Sequence, residues 1–263
     1  MIRRSFIFLD RISAKTEKNL WNQGIKGWQD FLGAGYIQGL SMPRKKHYDR
    51  FLLEAQKRLY NFDSAFFKGK LPSSETWRLY DFFKDQAAFL DIETSGLEEN
   101  SYITMIGIFD GIECKPFIRG INLDAVSLAK ELSKYKLLVT FNGSTFDLPI
   151  ISKKLPGALP DVPHIDLRHA CAKVGLKGGL KSIERELGIR RSNPIIERMY
   201  GGDAITMWRM FRGSGDEHYL RLLVEYNEED CINMKSIANK VYERLCQATI
   251  KRMEKENYNG EHK

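Results

Sequence analysis

The chain has 263 residues, 43% of them hydrophobic and 29% charged, with a formal net charge of +7. That leaves room for one large domain or two unequal ones with a full core, in the composition of an ordinary soluble protein. No apolar run reaches the ~18 residues of a membrane-spanning helix.

The start, Met1 to Asp10, is basic and then apolar, but too short for a signal-peptide core. Cys114, Cys171, Cys231 and Cys246 form neither a Cys-x-x-Cys pair nor a zinc pattern. Reduced thiols in a cytoplasmic protein, with no membrane partner, are expected. The charge is uneven: residues 1–86 hold 16 Lys and Arg against 9 Asp and Glu, whereas residues 87–263 hold 25 of each. By itself this surplus leans slightly towards a solubility feature. It also suits a polyanionic substrate, with one part attracting phosphate and another acting on it.

In chain order, residues 1–40 read as compact and helical, with large apolar groups at helical spacing in 14–21 and 27–32 and stops at Gly24 and Gly33. Phe8 to Leu20 resembles a worn helix-hairpin-helix, a non-specific DNA-backbone binder. Its hairpin reads Arg11-Ile12-Ser13 and lacks both glycines, so Leu20, Trp21 and Trp28 are expected to pack rather than to serve phosphate contact. After Pro43, an amphipathic helix carries Tyr48, Phe51, Leu52, Ala55, Leu59 and Phe62 on one stripe. Lys46, Arg50 and Lys57 share its outer side, a solvated face before it is a phosphate-facing one. A linker is expected near 66–76, ending a basic helical module at residues 1–84.

From residue 87 strands and helices alternate, the pattern of an α/β domain. Strands are expected at 87–94, 102–109 and 115–119 as an antiparallel meander, turned by Asp110-Gly111. Asn122 or Asp124 caps a helix running to Tyr135, and residues 136–141 form a fourth strand ended by Asn142-Gly143. A short helix follows from Phe146, then a weak fifth strand at 164–168. Helices are expected at 179–188, 203–213, 216–227 and 228–253, and a frayed polar tail at 254–263.

The first strand ends on Asp91-Ile92-Glu93-Thr94. Residues i and i+2 share a face, so Asp91 and Glu93 project together. Close carboxylates repel unless a cation lies between them or one is protonated, and a hard divalent ion such as Mg²⁺ prefers oxygen ligands. An exposed strand end would explain this pair equally well, but more acids follow. Asp147 lies just past the fourth strand, which would bring it to the same edge if strands one and four are parallel neighbours; a helix cap explains it too. Tyr226 and Asp230 are four apart on one helix face, and Ile232, Met234, Ile237, Ala238 and Val241 are expected to bury that helix.

The order Asp91-x-Glu93-Thr94, then Asn142-x-x-x-Phe146-Asp147, then Tyr226-x-x-x-Asp230 resembles the three motifs of the DEDD superfamily of exonucleases, and most of all its YprB-like, ribonuclease-H-like branch, over about residues 85–245. The resemblance implies a mixed five-stranded sheet flanked by helices at 85–253, and metal-dependent 3′→5′ removal of nucleotides from a single-stranded DNA or RNA end. It implies two Mg²⁺ or Mn²⁺ ions held by Asp91, Glu93, Asp147 and Asp230, with Tyr226 orienting the attacking water. Glu225 stands where the family's histidine subclass has its His. Thr94 and Leu97 match positions that hold and wedge the terminal nucleotide, and Asn142 and Phe146 match positions that line the strand's path. Arg168, His169, Lys181, His164 and His218 are given no such role. A non-cleaving nucleic-acid-binding module and a ribonuclease-H-like endonuclease are the alternatives.

Overall fold

The computed structural model describes residues 1–96, 98 and 100–254. Leu97 and the tail at 255–263 lie outside the described residues.

The N-terminal part holds α1 (Ala14–Asn22), α2 (Trp28–Gly33), α3 (Met42–Tyr60) and the single turn α4 (Tyr80–Phe83). Ser13 starts α1, its hydroxyl accepting from the Thr16 N–H at 3.2 Å, which is the usual remedy for an unpaired first-turn donor. Residues 7–11 form turns, with Arg11 at φ 59°, so the first helix of a helix-hairpin-helix is not there. Trp21 and Trp28 are buried, and their indole N–H groups donate to the Arg4 and Ser5 carbonyls. Phe62 lies past the end of α3 at φ 54° and is exposed, so the buried stripe stops at Leu59. Lys46, Arg50 and Lys57 face solvent. Residues 66–76, read as a linker, carry 3₁₀ turns and bury Phe67 and Leu71.

Five strands follow: β1 (Ala87–Thr94), β2 (Ile103–Phe109), β3 (Cys114–Ile118), β4 (Leu137–Thr140) and β5 (His164–Asp166). Their order is β3-β2-β1-β4-β5, antiparallel through β3, β2 and β1 and parallel through β1, β4 and β5. The strands are interleaved with α5 (Ala125–Leu132) and α6 (Asp147–Lys154), and β5 leads into α7 (Leu167–Lys173). Asp124, not Asn122, caps α5. The C-terminal helices are α8 (Leu180–Glu186), α9 (Pro194–Arg198), α10 (Gly201–Ser214) and α11 (Glu217–Glu254).

The two faces of β1 go to different cores. Ala88, Leu90 and Ile92 pack with Leu128, Leu132 and Ile151 of α5 and α6. Ala87 and Phe89 face the other way, towards Cys231, Met234 and Ala238 of α11, in a core that extends without a break to Phe6, Trp28 and Leu59. Asp91 and Glu93 continue this second face by the two-residue period of a strand. They therefore meet α11 where its inner side turns polar.

The helices expected at 216–227 and 228–253 are a single helix of 38 residues, α11. It contains neither Gly nor Pro, so nothing in it halts the hydrogen-bond ladder. Its buried side runs through Asn227, Asp230, Cys231, Met234 and Ala238, which leaves Ile232 exposed rather than buried. Among the described residues no helix is long and apolar enough to cross a membrane.

Candidate metal and nucleic-acid site

Asp91, Glu93 and Asp230 offer oxygens that all lie within 4.8 Å of one another. Two come from the end of β1 and one from the inner side of α11. Asp147 is the first residue of α6 and is buried; its Oδ1 accepts from the Ile92 N–H at 3.2 Å. The β1–β4 pairing is parallel, so the turn after β4 delivers Asp147 to the edge where β1 ends. Asp91, Glu93 and Asp230 thus form the cluster, and Asp147 adjoins it from a third segment, near enough for its charge to act on Asp91.

The electrostatics are unfavourable without a cation. Burial, and then the charges of Asp147, Asp230 and Glu93, push the Asp91 carboxyl well above the usual range. Burial and the Asp230 charge do the same to Glu93. Burial lifts Asp147 to about 7. Asp230 is lifted by burial to about 6, with the Arg191 guanidinium pulling in the opposite direction. All the clustered donors are carboxylate oxygens, with no imidazole or thiolate among them. That donor set fits a hard divalent cation such as Mg²⁺ or Mn²⁺.

Several neighbours hold the acids in place. Asn227, one turn before Asp230, donates from Nδ2 to Asp91 Oδ2 at 2.9 Å. It reaches in because β2 has a glycine opposite Asp91: a Cβ on Gly107 would stand 1.9 Å from Asn227 Oδ1. Arg191 is buried between α8 and α9. Its Nη2 bonds to Asp230 Oδ1, while Nε and Nη2 clasp both oxygens of Glu184 at 3.1 and 2.9 Å. Glu184 Oε1 also accepts from Asn233 of α11 at 3.1 Å. Arg191 thus supplies one cation among several acids, and its Nη1 is buried without a hydrogen-bond partner among the described residues.

Tyr226 is buried one turn before Asp230. Its hydroxyl is held protonated by burial and by the Asp230, Glu93 and Asp91 charges. The Lys181 ammonium and the Arg191 guanidinium lie 5.1 and 5.6 Å from its ring centroid, within cation–π range. Lys181 also donates to the Ile196 carbonyl at 2.9 Å and to that of Met199, so it stands beside the cluster rather than on a plain surface.

Thr94 is buried, and its hydroxyl donates to the Gly96 carbonyl at 2.8 Å. Asn142 adopts φ 66°, and its Oδ1 accepts from Arg168 Nη1 at 2.8 Å and from the Thr145 hydroxyl at 3.1 Å. Asp166 fixes the same turn by accepting from the Asn142 and Ser144 N–H groups at 2.8 and 3.1 Å. Gly143 cannot carry a side chain, because a Cβ would stand 2.2 Å from Thr140 Oγ1. Phe146 is half-buried against the α5–α6 core. His164 bonds to Thr140 Oγ1 at 2.8 Å, and burial lowers its pKa to about 4, as befits a neutral internal residue.

Arg191, Glu184, Gly107 and Asp166 carry no expectation from the sequence, and Asn227 stands in the third motif without an assigned role. Of the first four, only Gly107 left a signal, as a glycine inside an unbroken apolar strand, which marks close approach of another group.

A family model described as RNase_H superfamily matches residues 88–242, more than half of the chain. The chain belongs to the RNase H superfamily. The five-stranded mixed sheet with helices on both faces is in keeping with that membership. Superfamily membership points to nuclease chemistry on nucleic acid and to use of a divalent metal, and Asp91, Glu93 and Asp230 form the acidic cluster that could hold one. Comparison with curated proteins gave no match.

Proposed function

We propose that the chain is a 3′→5′ exonuclease of the DEDD type and tyrosine subclass, in its YprB-like branch, acting on single-stranded DNA or RNA ends. Its catalytic domain is residues 85–253, preceded by a basic helical module at 1–84. The observation that carries this reading is the cluster of Asp91, Glu93 and Asp230 from β1 and α11 at one strand edge, with Asp147 of α6 buried beside it.

Asp91, Glu93, Asp147 and Asp230 would hold two Mg²⁺ or Mn²⁺ ions. Bound there, the metal supplies Lewis acidity for the phosphoryl oxygens and a water of lowered pKa. The protein does the rest. Asn227 fixes Asp91, and Arg191 fixes Asp230. The Tyr226 hydroxyl, kept protonated by its surroundings, orients the attacking water as a donor. Thr94 and Leu97 hold the terminal nucleotide, and Asn142, presented by the Arg168 and Asp166 contacts of its turn, lines the strand's path with Phe146.

Oligonucleotides labelled at the 3′ or the 5′ end, incubated with Mg²⁺ or Mn²⁺, test the reading. The 5′-labelled strand should shorten to a ladder from its 3′ end, and Asp91→Asn should reduce the rate by about three orders of magnitude, the equivalent of several kcal/mol of lost charge stabilisation. Cleavage of a circular strand, or parental activity in Asp91→Asn, overturns it.

A further inference from the structure

A groove of about 430 Å³ lies past the end of β1, lined by Tyr102, Arg119, Leu123, Trp208 and Arg212. Its position follows from the sheet register. Thr94 pairs with Ile103, and Tyr102 exchanges hydrogen bonds with Ser95 at 3.0 and 3.1 Å, so Tyr102 stands just beyond the end of β1. Arg119 follows β3, and its N–H donates to the Thr104 carbonyl at 2.9 Å. Glu93 pairs with Met105, three residues from Tyr102, so the groove begins on the order of 10 Å from the carboxylates at ~3.3 Å per strand residue.

The groove and the acids share a foundation. Met105, Trp208 and Tyr226 belong to one apolar cluster, with Tyr102 packed against it. The Trp208 indole N–H donates to the Tyr102 hydroxyl at 3.1 Å, which locks the two aromatic rings together. The Arg119 guanidinium lies over the Tyr102 ring at 4.4 Å, and that of Arg212 lies 6.0 Å from Trp208. Both arginines are exposed, and among the described residues no carboxylate pairs with either. Stacking on an aromatic face holds a guanidinium plane in position while leaving its N–H edge free for phosphate oxygens and its outer face free for a base.

The geometry points to this groove as a second nucleic-acid subsite, where Arg119 and Arg212 grip phosphodiesters of the strand whose end lies on the carboxylates and a base stacks on the Arg119–Tyr102 pair. The inference rests on the reading of the acidic cluster as a nuclease site. It adds the surface through which a strand, rather than a single nucleotide, would be held.

Fluorescence anisotropy with a labelled single strand tests it, measured in an Asp91→Asn background so that binding is read without cutting. Arg119→Gln/Arg212→Gln should weaken binding and lower the slope of log Kd against log salt by about 1.4, since each phosphate contact to a single strand contributes about 0.7. Thermal melting of the double variant should match its parent, because both side chains are exposed. An unchanged slope and affinity overturn the subsite, as does a polyglutamate peptide competing as well as an oligonucleotide of equal charge. A lowered slope from a protein whose unmutated form cuts nothing leaves the subsite standing and sinks the exonuclease reading. Absence of any strand binding overturns both.

Discussion

Arg78 and Arg191 are both buried against carboxylates, in opposite surroundings. Arg78 meets Glu17 and Glu75 in the N-terminal half, and Glu75 is shared with Lys173. Glu17 is also saturated by the Phe6 N–H at 2.6 Å and the Ser5 hydroxyl at 3.1 Å. Charges there balance, and the network is complete. Arg191 sits instead in a surplus of acid: Glu184 and Asp230 bond to it, and Asp91, Glu93 and Asp147 crowd behind. A balanced buried network fixes a fold, whereas an unbalanced one is a place prepared for positive charge from outside.

The largest effect separates the two directly. Arg78→Met should cost about 3–5 kcal/mol in urea unfolding, the usual penalty for orphaning a buried partner, and Mn²⁺ should recover none of it. Arg191→Met should also destabilise the chelator-treated protein, but Mn²⁺ should restore a substantial part. Equal responses to Mn²⁺ would break the distinction.

A smaller effect sharpens it at Gly107. Gly107→Ala drives a methyl into Asn227 and should cost about 1–3 kcal/mol, the range for overpacking a well-filled core. Adding Asn227→Ala should return part of that loss. If it does not, the close approach of Asn227 is not what demands the glycine.

A third contrast is a dependence on pH. Burial raises Asp147 from 3.8 to about 7, so the metal-free folded state keeps its proton where the unfolded chain has lost it. Stability from this group is therefore complete below the unfolded pKa and is lost as pH rises through the folded one. The melting temperature of the metal-free protein should fall across that window, and Asp147→Asn should flatten the fall. A rise with pH would show that the Asp147 anion is favoured by its surroundings.

The acids themselves were legible in the sequence. The two-residue spacing of Asp91 and Glu93, the position of Asp147 after an apolar strand and the four-residue step from Tyr226 to Asp230 each follow from a fixed backbone period. The meander of β1 to β3 was legible for the same reason. What escaped were the groups that hold the acids. Arg191 lies between two short helices, α8 and α9, and its role depends on a contact with α11 that no local pattern encodes. Asn227 belongs to the third motif, but its bond to Asp91 depends on the rotation of α11, which no local pattern gives. That rotation also misplaced Ile232, since the buried side of α11 is set by polar and apolar neighbours together.

The length of α11 has a mechanical consequence. Asp230 and Met253 lie on this one helix, about 35 Å apart at the α-helical rise. Near its far end, Lys26 of the N-terminal half bonds to the Met253 carbonyl at 2.6 Å, and in its middle Asn239 bonds to Tyr80 at 2.9 Å. With no glycine or proline to hinge on, the rod behaves as a single lever. The carboxylate of Asp230 and the points where the N-terminal part bonds to α11 therefore share one unbroken hydrogen-bond ladder, with no joint between them.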